Sequence, residues 1–126
     1  MKGTILIVDD VEDARLLLKT VLDLEGYTTI PVPDGKAALR FLENLKPDLI
    51  IADLMMPEVS GVDLIKHLRG QPTYVNTPIL AISGFKSYIE EAIGAGATST
   101  MHKPVNVIEL PLVVSRLLFP TDVPNH

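Results

Sequence analysis

Apolar runs of four or five residues alternate along the chain with longer segments of mixed polarity. The runs are rich in β-branched residues, and their almost continuous apolar character is typical of parallel strands buried on both faces. A membrane span needs about 18 apolar residues, so none of these runs qualifies. The pattern predicts strands over residues 4–8, 27–32, 48–53, 79–83 and 99–102.

The segments between the strands carry apolar residues at helical spacing. From Val11 to Leu22 they recur every three or four positions, and Gly26 follows as a helix stop. Asp34 is placed to cap a second helix, which we expect to run to about Leu45. The predicted helices cover residues 11–25, 35–45, 62–69, 87–94 and 106–118.

The start of the last predicted helix carries two signals. Asn106 and Glu109, three residues apart, fit a capping box. Pro111 falls at or just past the first turn, and beyond that turn it would cost a hydrogen bond and kink the helix.

Five strands alternating with five helices predict an α/β fold of three layers, in which helices cover both faces of a doubly wound parallel sheet. The length of 126 residues suits one domain. We assign residues 1–119 to this domain and residues 120–126 to a flexible tail or linker stub.

Composition and charge narrow the function classes. There is no cysteine, which excludes disulfides and thiolate metal sites. The net charge of −5 argues against nucleic-acid binding and against an anionic membrane surface. The N-terminus is too short in apolar residues for a signal peptide, so we expect a cytoplasmic protein.

Polar side chains follow four of the five predicted strands. Asp9 and Asp10 follow the first strand, Asp53 ends the third, Ser83 ends the fourth and Lys103 follows the fifth. In open parallel sheets, ligands bind beyond the carboxyl ends of the strands. We therefore expect these side chains to converge on one edge.

That set of side chains predicts a chemistry. Three neighbouring carboxylates need a counter-charge, and Mg²⁺ is bound by one or two carboxylates together with waters and phosphate oxygens. Lys103 is a point charge suited to a phosphoryl oxygen, and Ser83 offers a hydroxyl. The residues therefore predict transfer of a phosphoryl group to a carboxylate, with the metal and the lysine neutralising charge.

The sequence resembles the receiver domain of two-component response regulators, whose best-known single-domain member is the chemotaxis regulator. The resemblance covers about residues 2–118 and rests on five motifs that occur in order at the family's spacings. These are Ile5-Leu6-Ile7-Val8-Asp9-Asp10, Asp53-Leu54-Met55-Met56-Pro57, Gly61, Ser83-Gly84, and Gly94-Ala95-Gly96-Ala97 leading to Lys103-Pro104.

The resemblance implies a role for each acidic residue. Asp53 would accept the phosphoryl group, while Asp9, Asp10, Asp53 and the backbone carbonyl of Met55 would bind Mg²⁺. The donor would be a histidine kinase or a phosphotransfer protein, and the signal would reach a downstream protein target through changed contacts.

The resemblance also implies roles at the fourth and fifth strands. Ser83 would hydrogen-bond the phosphoryl group, Lys103 would contact one of its oxygens, and the bond between Lys103 and Pro104 would be cis. The family's sheet has the flavodoxin-like strand order 2-1-3-4-5.

Three positions depart from the family pattern. Thr100, three residues before Lys103, replaces an aromatic residue whose ring moves on phosphorylation. Met55 and Phe85, two residues after Asp53 and Ser83, stand where side chains tune the attack of water. Because both are apolar and neither can orient a water, we expect slow hydrolysis of the phosphoaspartate.

Three alternative functions make different demands on these residues. An adaptor with this fold but no need of phosphorylation is favoured by Thr100 and disfavoured by the full set of polar residues. A phosphatase of the haloacid-dehalogenase type would need an aspartate where Met55 stands. In a flavin-binding protein of similar topology, Asp9 and Asp10 would repel the cofactor phosphate.

Overall fold

Strands and helices alternate along residues 2–120, the part of the chain that the computed structural model describes. Apart from Pro120, the predicted tail lies outside the described residues. Within residues 2–120, none of the helices combines the length and apolar character needed to cross a bilayer. The elements are β1 (Thr4–Val8), α1 (Glu12–Leu24), β2 (Thr28–Val32), α2 (Gly35–Leu42), β3 (Leu49–Asp53), α3 (Gly61–Arg69), a 3₁₀ helix (Pro72–Tyr74), β4 (Ile79–Ser83), α4 (Lys86–Ala95), β5 (Ser99–His102) and α5 (Glu109–Leu118).

The five strands form one parallel sheet in the order β2-β1-β3-β4-β5. This confirms the fold class and the strand order that the resemblance implied. Strands β3 and β4 are buried along their whole length, as their apolar sequences predict. Strand β2 lies at an edge, where Pro31, paired in register with Ile7, is tolerated although it has no N–H.

Alternate residues of each central strand enter two separate cores. In β1, Ile5 and Ile7 pack with α1 and α5 on one face of the sheet. Leu6 and Val8 pack with α2, α3 and α4 on the other face. This period of two leaves the residues beyond each strand end on a shared edge. Because the connections from β1 and β3 run to opposite faces of the sheet, a crevice opens at that edge.

Helix α2 ends at Leu42, three residues earlier than predicted. Its last turn tightens, because the amides of Glu43 and Asn44 donate to the carbonyls three residues before them. The chain must then leave the helical conformation before Pro47. The hydroxyl of Tyr74 donates to the Leu42 carbonyl and so caps the helix from another part of the chain.

Helix α5 begins at Glu109 and not at Asn106. The side-chain oxygen of Asn106 accepts the amides of Ile108 at 2.9 Å and Glu109 at 3.0 Å, so Asn106 organises the turn that leads into the helix. Pro111 is the third residue of α5. It therefore removes an N–H that has no acceptor within the helix.

The long loop between α3 and β4 is held by Arg69. Its guanidinium donates to the carbonyls of Tyr74 and Thr77, both at 2.8 Å, and to that of Gly96 at 2.9 Å. Burial lowers the pKa of Arg69, which remains charged. The contacts join the end of α3 to the start of β4 and to the α4–β5 turn, at the sheet edge opposite the polar strand ends.

We expect Tyr74→Phe to lower the free energy of unfolding by about 1–2 kcal/mol, because the Leu42 carbonyl loses a buried donor. Chemical denaturation monitored by circular dichroism measures the change. The control is Tyr88→Phe, whose side chain is exposed and which should stay within about 0.5 kcal/mol of the wild type. Equal stability of Tyr74→Phe and the wild type would contradict this role.

Candidate functional site

Three aspartates meet at the carboxyl edge of the sheet. Asp9 follows β1 and Asp53 ends β3, and these residues are only 2% and 4% exposed, whereas Asp10 is exposed. One carboxylate oxygen from each of the three lies within 4.8 Å of the others. The two central strands thus bring together acidic groups that are 44 positions apart in the sequence.

Lys103 places its ammonium beside both buried carboxylates. Its Nζ atom lies 3.6 Å from Asp9 Oδ2 and 3.4 Å from Asp53 Oδ2. One ammonium offsets one of these two charges, and Asp10 adds another nearby. The cluster therefore keeps a net negative charge that a hard cation with oxygen ligands would offset.

Backbone amides fix the orientation of both buried carboxylates. The N–H of Val11 donates to Asp9 Oδ1 at 2.9 Å, and the N–H of Met55 donates to Asp53 Oδ1 at 3.1 Å. In each aspartate the second oxygen, Oδ2, is then the one nearest Lys103. The strand ends thus present two fixed oxygens to the same small volume.

Burial raises the pKa of Asp53, and this is the largest influence on it. The N–H of Met55 opposes the shift, the charge of Asp9 adds to it, and Lys103 opposes it again. The folded protein therefore destabilises the ionised form of Asp53 relative to the unfolded chain. A bound cation would reduce that destabilisation.

Ser83 lies at the end of β4 and is 1% exposed. Its Oγ accepts the N–H of Phe85 at 3.0 Å, which leaves the hydroxyl hydrogen to donate. Its carbonyl accepts the N–H of Lys103 at 2.8 Å, so the ends of β4 and β5 are tied together. The following bond, Lys103–Pro104, is cis.

Exposed apolar side chains stand two residues after Asp53 and Ser83 in the chain. Met55 is 46% exposed and Phe85 is 54% exposed. The ring of Phe85 meets Tyr88 edge-on, with centroids 5.8 Å apart. Tyr88 and Met55 line a cavity of about 330 Å³. Thr100 lies half-buried in β5, opposite Ala81 of β4.

Two neighbours of the site were missed in the sequence analysis. Arg15 donates from its guanidinium to the Asp9 carbonyl at 2.7 Å. Its position early in α1, six residues beyond Asp9, is the feature of the sequence that could have indicated this contact. Tyr88 follows Phe85 by three residues, the helical spacing that brings two side chains together.

With the fold and the acidic edge in place, comparison with known proteins identifies the family. The protein-family model for the response regulator receiver domain matches residues 5–115 of this chain. The chain therefore belongs to the response regulator receiver domains, the signal-transduction modules of two-component systems.

Individual relatives agree with this assignment. The chain is 34% identical over 116 residues to the regulatory protein AtoC of Escherichia coli K12, covering 90% of this chain but 25% of AtoC. The signal receiver domain of a signal transduction histidine kinase from Syntrophus aciditrophicus is similar in structure, with a TM-score of 0.89 and 34% identity over 98% of this chain and 95% of that one.

A third relative is a receiver domain whose crystal structure has a magnesium ion coordinated in the active site cleft. It belongs to the sensor histidine kinase PA1611 of Pseudomonas aeruginosa PAO1. The TM-score is 0.85 and the identity 26%, over 92% of this chain and 97% of that one.

The raised pKa of Asp53 leads to a pH-dependent expectation. The folded protein holds this proton to a higher pH than the unfolded chain, so stability falls as the pH rises from the ordinary aspartate range through the raised pKa. Asp53→Asn should therefore raise the melting temperature by a few degrees in metal-free buffer at neutral pH. The gain should shrink as the pH is lowered below the ordinary aspartate range.

Thermal unfolding in EDTA between pH 3 and pH 8 measures this effect. Glu90→Gln removes the same charge from an exposed position of α4 and serves as the control. A melting temperature for Asp53→Asn at or below that of the wild type at neutral pH would contradict the account.

Proposed function

We propose that Asp53 accepts a phosphoryl group from the phosphohistidine of a histidine kinase or a phosphotransfer protein. The observation that carries the proposal is the meeting of Asp9, Asp10 and Asp53 around the ammonium of Lys103. Membership of the receiver family supports the same chemistry. The signal then passes to a downstream protein target through changed contacts.

The residues at the edge fit a divalent cation. Carboxylate oxygens of Asp9, Asp10 and Asp53 lie within 4.8 Å of one another, a spacing that one ion can bridge. These three residues and the Met55 carbonyl would hold Mg²⁺, which when bound draws charge from phosphoryl oxygens during transfer. The magnesium ion of the PA1611 receiver supports this assignment.

The protein's own groups account for the remaining chemistry. A carboxylate oxygen of Asp53 forms the new bond to phosphorus as the bond to the donor imidazole nitrogen breaks, and that nitrogen takes a proton from solvent so that the imidazole leaves as the neutral ring. Lys103 neutralises charge on an equatorial oxygen, and the hydroxyl of Ser83 donates to another. The acyl phosphate replaces a carboxylate whose charge is disfavoured by burial with a group that these donors stabilise.

Hydrolysis of the acyl phosphate needs a water placed in line with the Asp53 oxygen. Met55 and Phe85 flank the site with apolar, half-exposed side chains, which offer that water no hydrogen bond. The phosphorylated state is therefore long-lived, and its added charge of about −1.5 to −2 persists long enough for a partner to bind.

Intact mass after incubation with acetyl phosphate and Mg²⁺ tests the proposal. We expect a gain of one phosphoryl group in the wild type, none in Asp53→Asn and none when EDTA replaces Mg²⁺. Failure of the wild type to gain mass with several phosphodonors would reject phosphoryl transfer. That outcome would favour the phosphorylation-independent adaptor.

The lifetime of the phosphorylated protein provides a second test. Met55→Asn should shorten it about tenfold, because one added hydrogen bond to the attacking water is equivalent to ~1.4 kcal/mol. Met55→Leu keeps the apolar character and should leave the lifetime unchanged. Mass spectrometry after removal of the donor measures both decays, and equal lifetimes for the two variants would argue against the water-exclusion account.

A further inference from the structure

The loop between β3 and α3 returns closely to the end of β3. The N–H of Gly61 donates to the Leu54 carbonyl at 3.1 Å and closes the loop. A Cβ atom at Gly61 would lie 2.4 Å from the Asp53 carbonyl oxygen, so only glycine allows this approach. The loop therefore has little freedom at its two ends, and its shape depends on what holds its middle.

Helix α2 contacts the middle of this loop. A Cβ atom at Gly35, the first residue of α2, would lie 2.7 Å from Cβ of Val59. Asp34 caps the same helix end by accepting the N–H of Ala37 at 2.8 Å. The start of α2 is thus an ordered surface against which the loop packs.

Glu58 occupies the most unusual backbone position of the loop. Its φ angle is +64°, in the left-handed region that side-chain-bearing residues rarely adopt. Its carboxylate Oε2 lies 2.6 Å from Nζ of Lys36 on α2. Glu58 follows Met55 by three residues, and its ion pair joins this position of disfavoured backbone conformation to the capped end of α2.

We infer that Lys36 is a positioning residue for the cation site. Through its ion pair with Glu58, it holds the β3–α3 loop in the shape that presents the Met55 carbonyl as a ligand. The inference rests on the proposed function, because it takes that carbonyl to be a ligand. Lys36 acts through Glu58 and the loop backbone and does not itself reach the bound ion.

The sign of the charge effect separates positioning from simple electrostatics. Removing a lysine makes the protein more negative, and by itself this strengthens the binding of a divalent cation. Loss of positioning acts in the opposite direction. A neutral substitution at Lys36 that weakens Mg²⁺ binding therefore cannot be explained by the change in net charge.

The chain offers a matched control. Lys19 forms an ion pair with Asp23 on α1, at 2.8 Å, and the two side chains are 37% and 41% exposed. Lys19→Met changes the net charge as Lys36→Met does, without touching the β3–α3 loop. The difference between the two variants isolates the effect of the Lys36–Glu58 pair.

Calorimetric titration of Mg²⁺ into the full chain is the test. We expect Lys36→Met to bind Mg²⁺ about two- to fivefold more weakly than Lys19→Met, the scale of an exposed ion pair. Lys36→Arg should restore wild-type affinity. In a Glu58→Gln background, Lys36→Met should cause no further weakening, because both residues act through one contact.

A second readout does not involve the metal. In metal-free protein, amide hydrogen exchange at residues 54–60 should quicken in Lys36→Met and stay unchanged in Lys19→Met. If Lys36→Met binds Mg²⁺ as tightly as Lys19→Met, the inference is overturned. If the wild type itself binds no Mg²⁺, the cation part of the proposed function fails instead, and the exchange data still show whether the pair holds the loop.

Discussion

The repulsion between two buried carboxylates, Asp9 and Asp53, is the constraint on which the rest of the site depends. Both lie at the ends of central strands, so the fold itself brings them together. Lys103 offsets part of their charge, and backbone amides hold one oxygen of each. The remaining charge makes the edge receptive to a cation and to a phosphoryl group that replaces one carboxylate.

The chemistry at the carboxyl edge depends on contacts in other parts of the domain that stabilise the fold. The two apolar cores on either face of the sheet bury the central strands, and Arg69 ties three segments together at the opposite edge. The free energy that these contacts supply offsets the repulsion and desolvation of the charged groups at the carboxyl edge. The β3–α3 loop lies at the carboxyl edge and depends on local contacts such as those of Gly35 and Glu58 with their neighbours.

Local sequence patterns were sufficient for the strands, their parallel arrangement and the polar edge, whereas the strand order of the sheet came from the family resemblance. The strands are short and apolar, and Asp9, Asp53 and Ser83 stand where those runs stop, so parallel pairing places them at one edge of the sheet. Their close approach also depends on the neighbouring order of β1, β3 and β4. The end of α2 was less accessible, because it depends on a hydroxyl from Tyr74, 32 positions away. The pairing of Lys36 with Glu58 was equally hidden, since it depends on the path of a loop whose backbone has no periodic pattern.

The edge strand β2 has a consequence for how copies of this protein can meet. Pro31, in the interior of that strand, has no N–H to offer to an incoming strand. A second sheet added there would lose a rung of its hydrogen-bond ladder, which discourages growth of the sheet from molecule to molecule. Proline at this position thus disfavours β-aggregation through β2, and β5 is left as the other edge strand of the sheet.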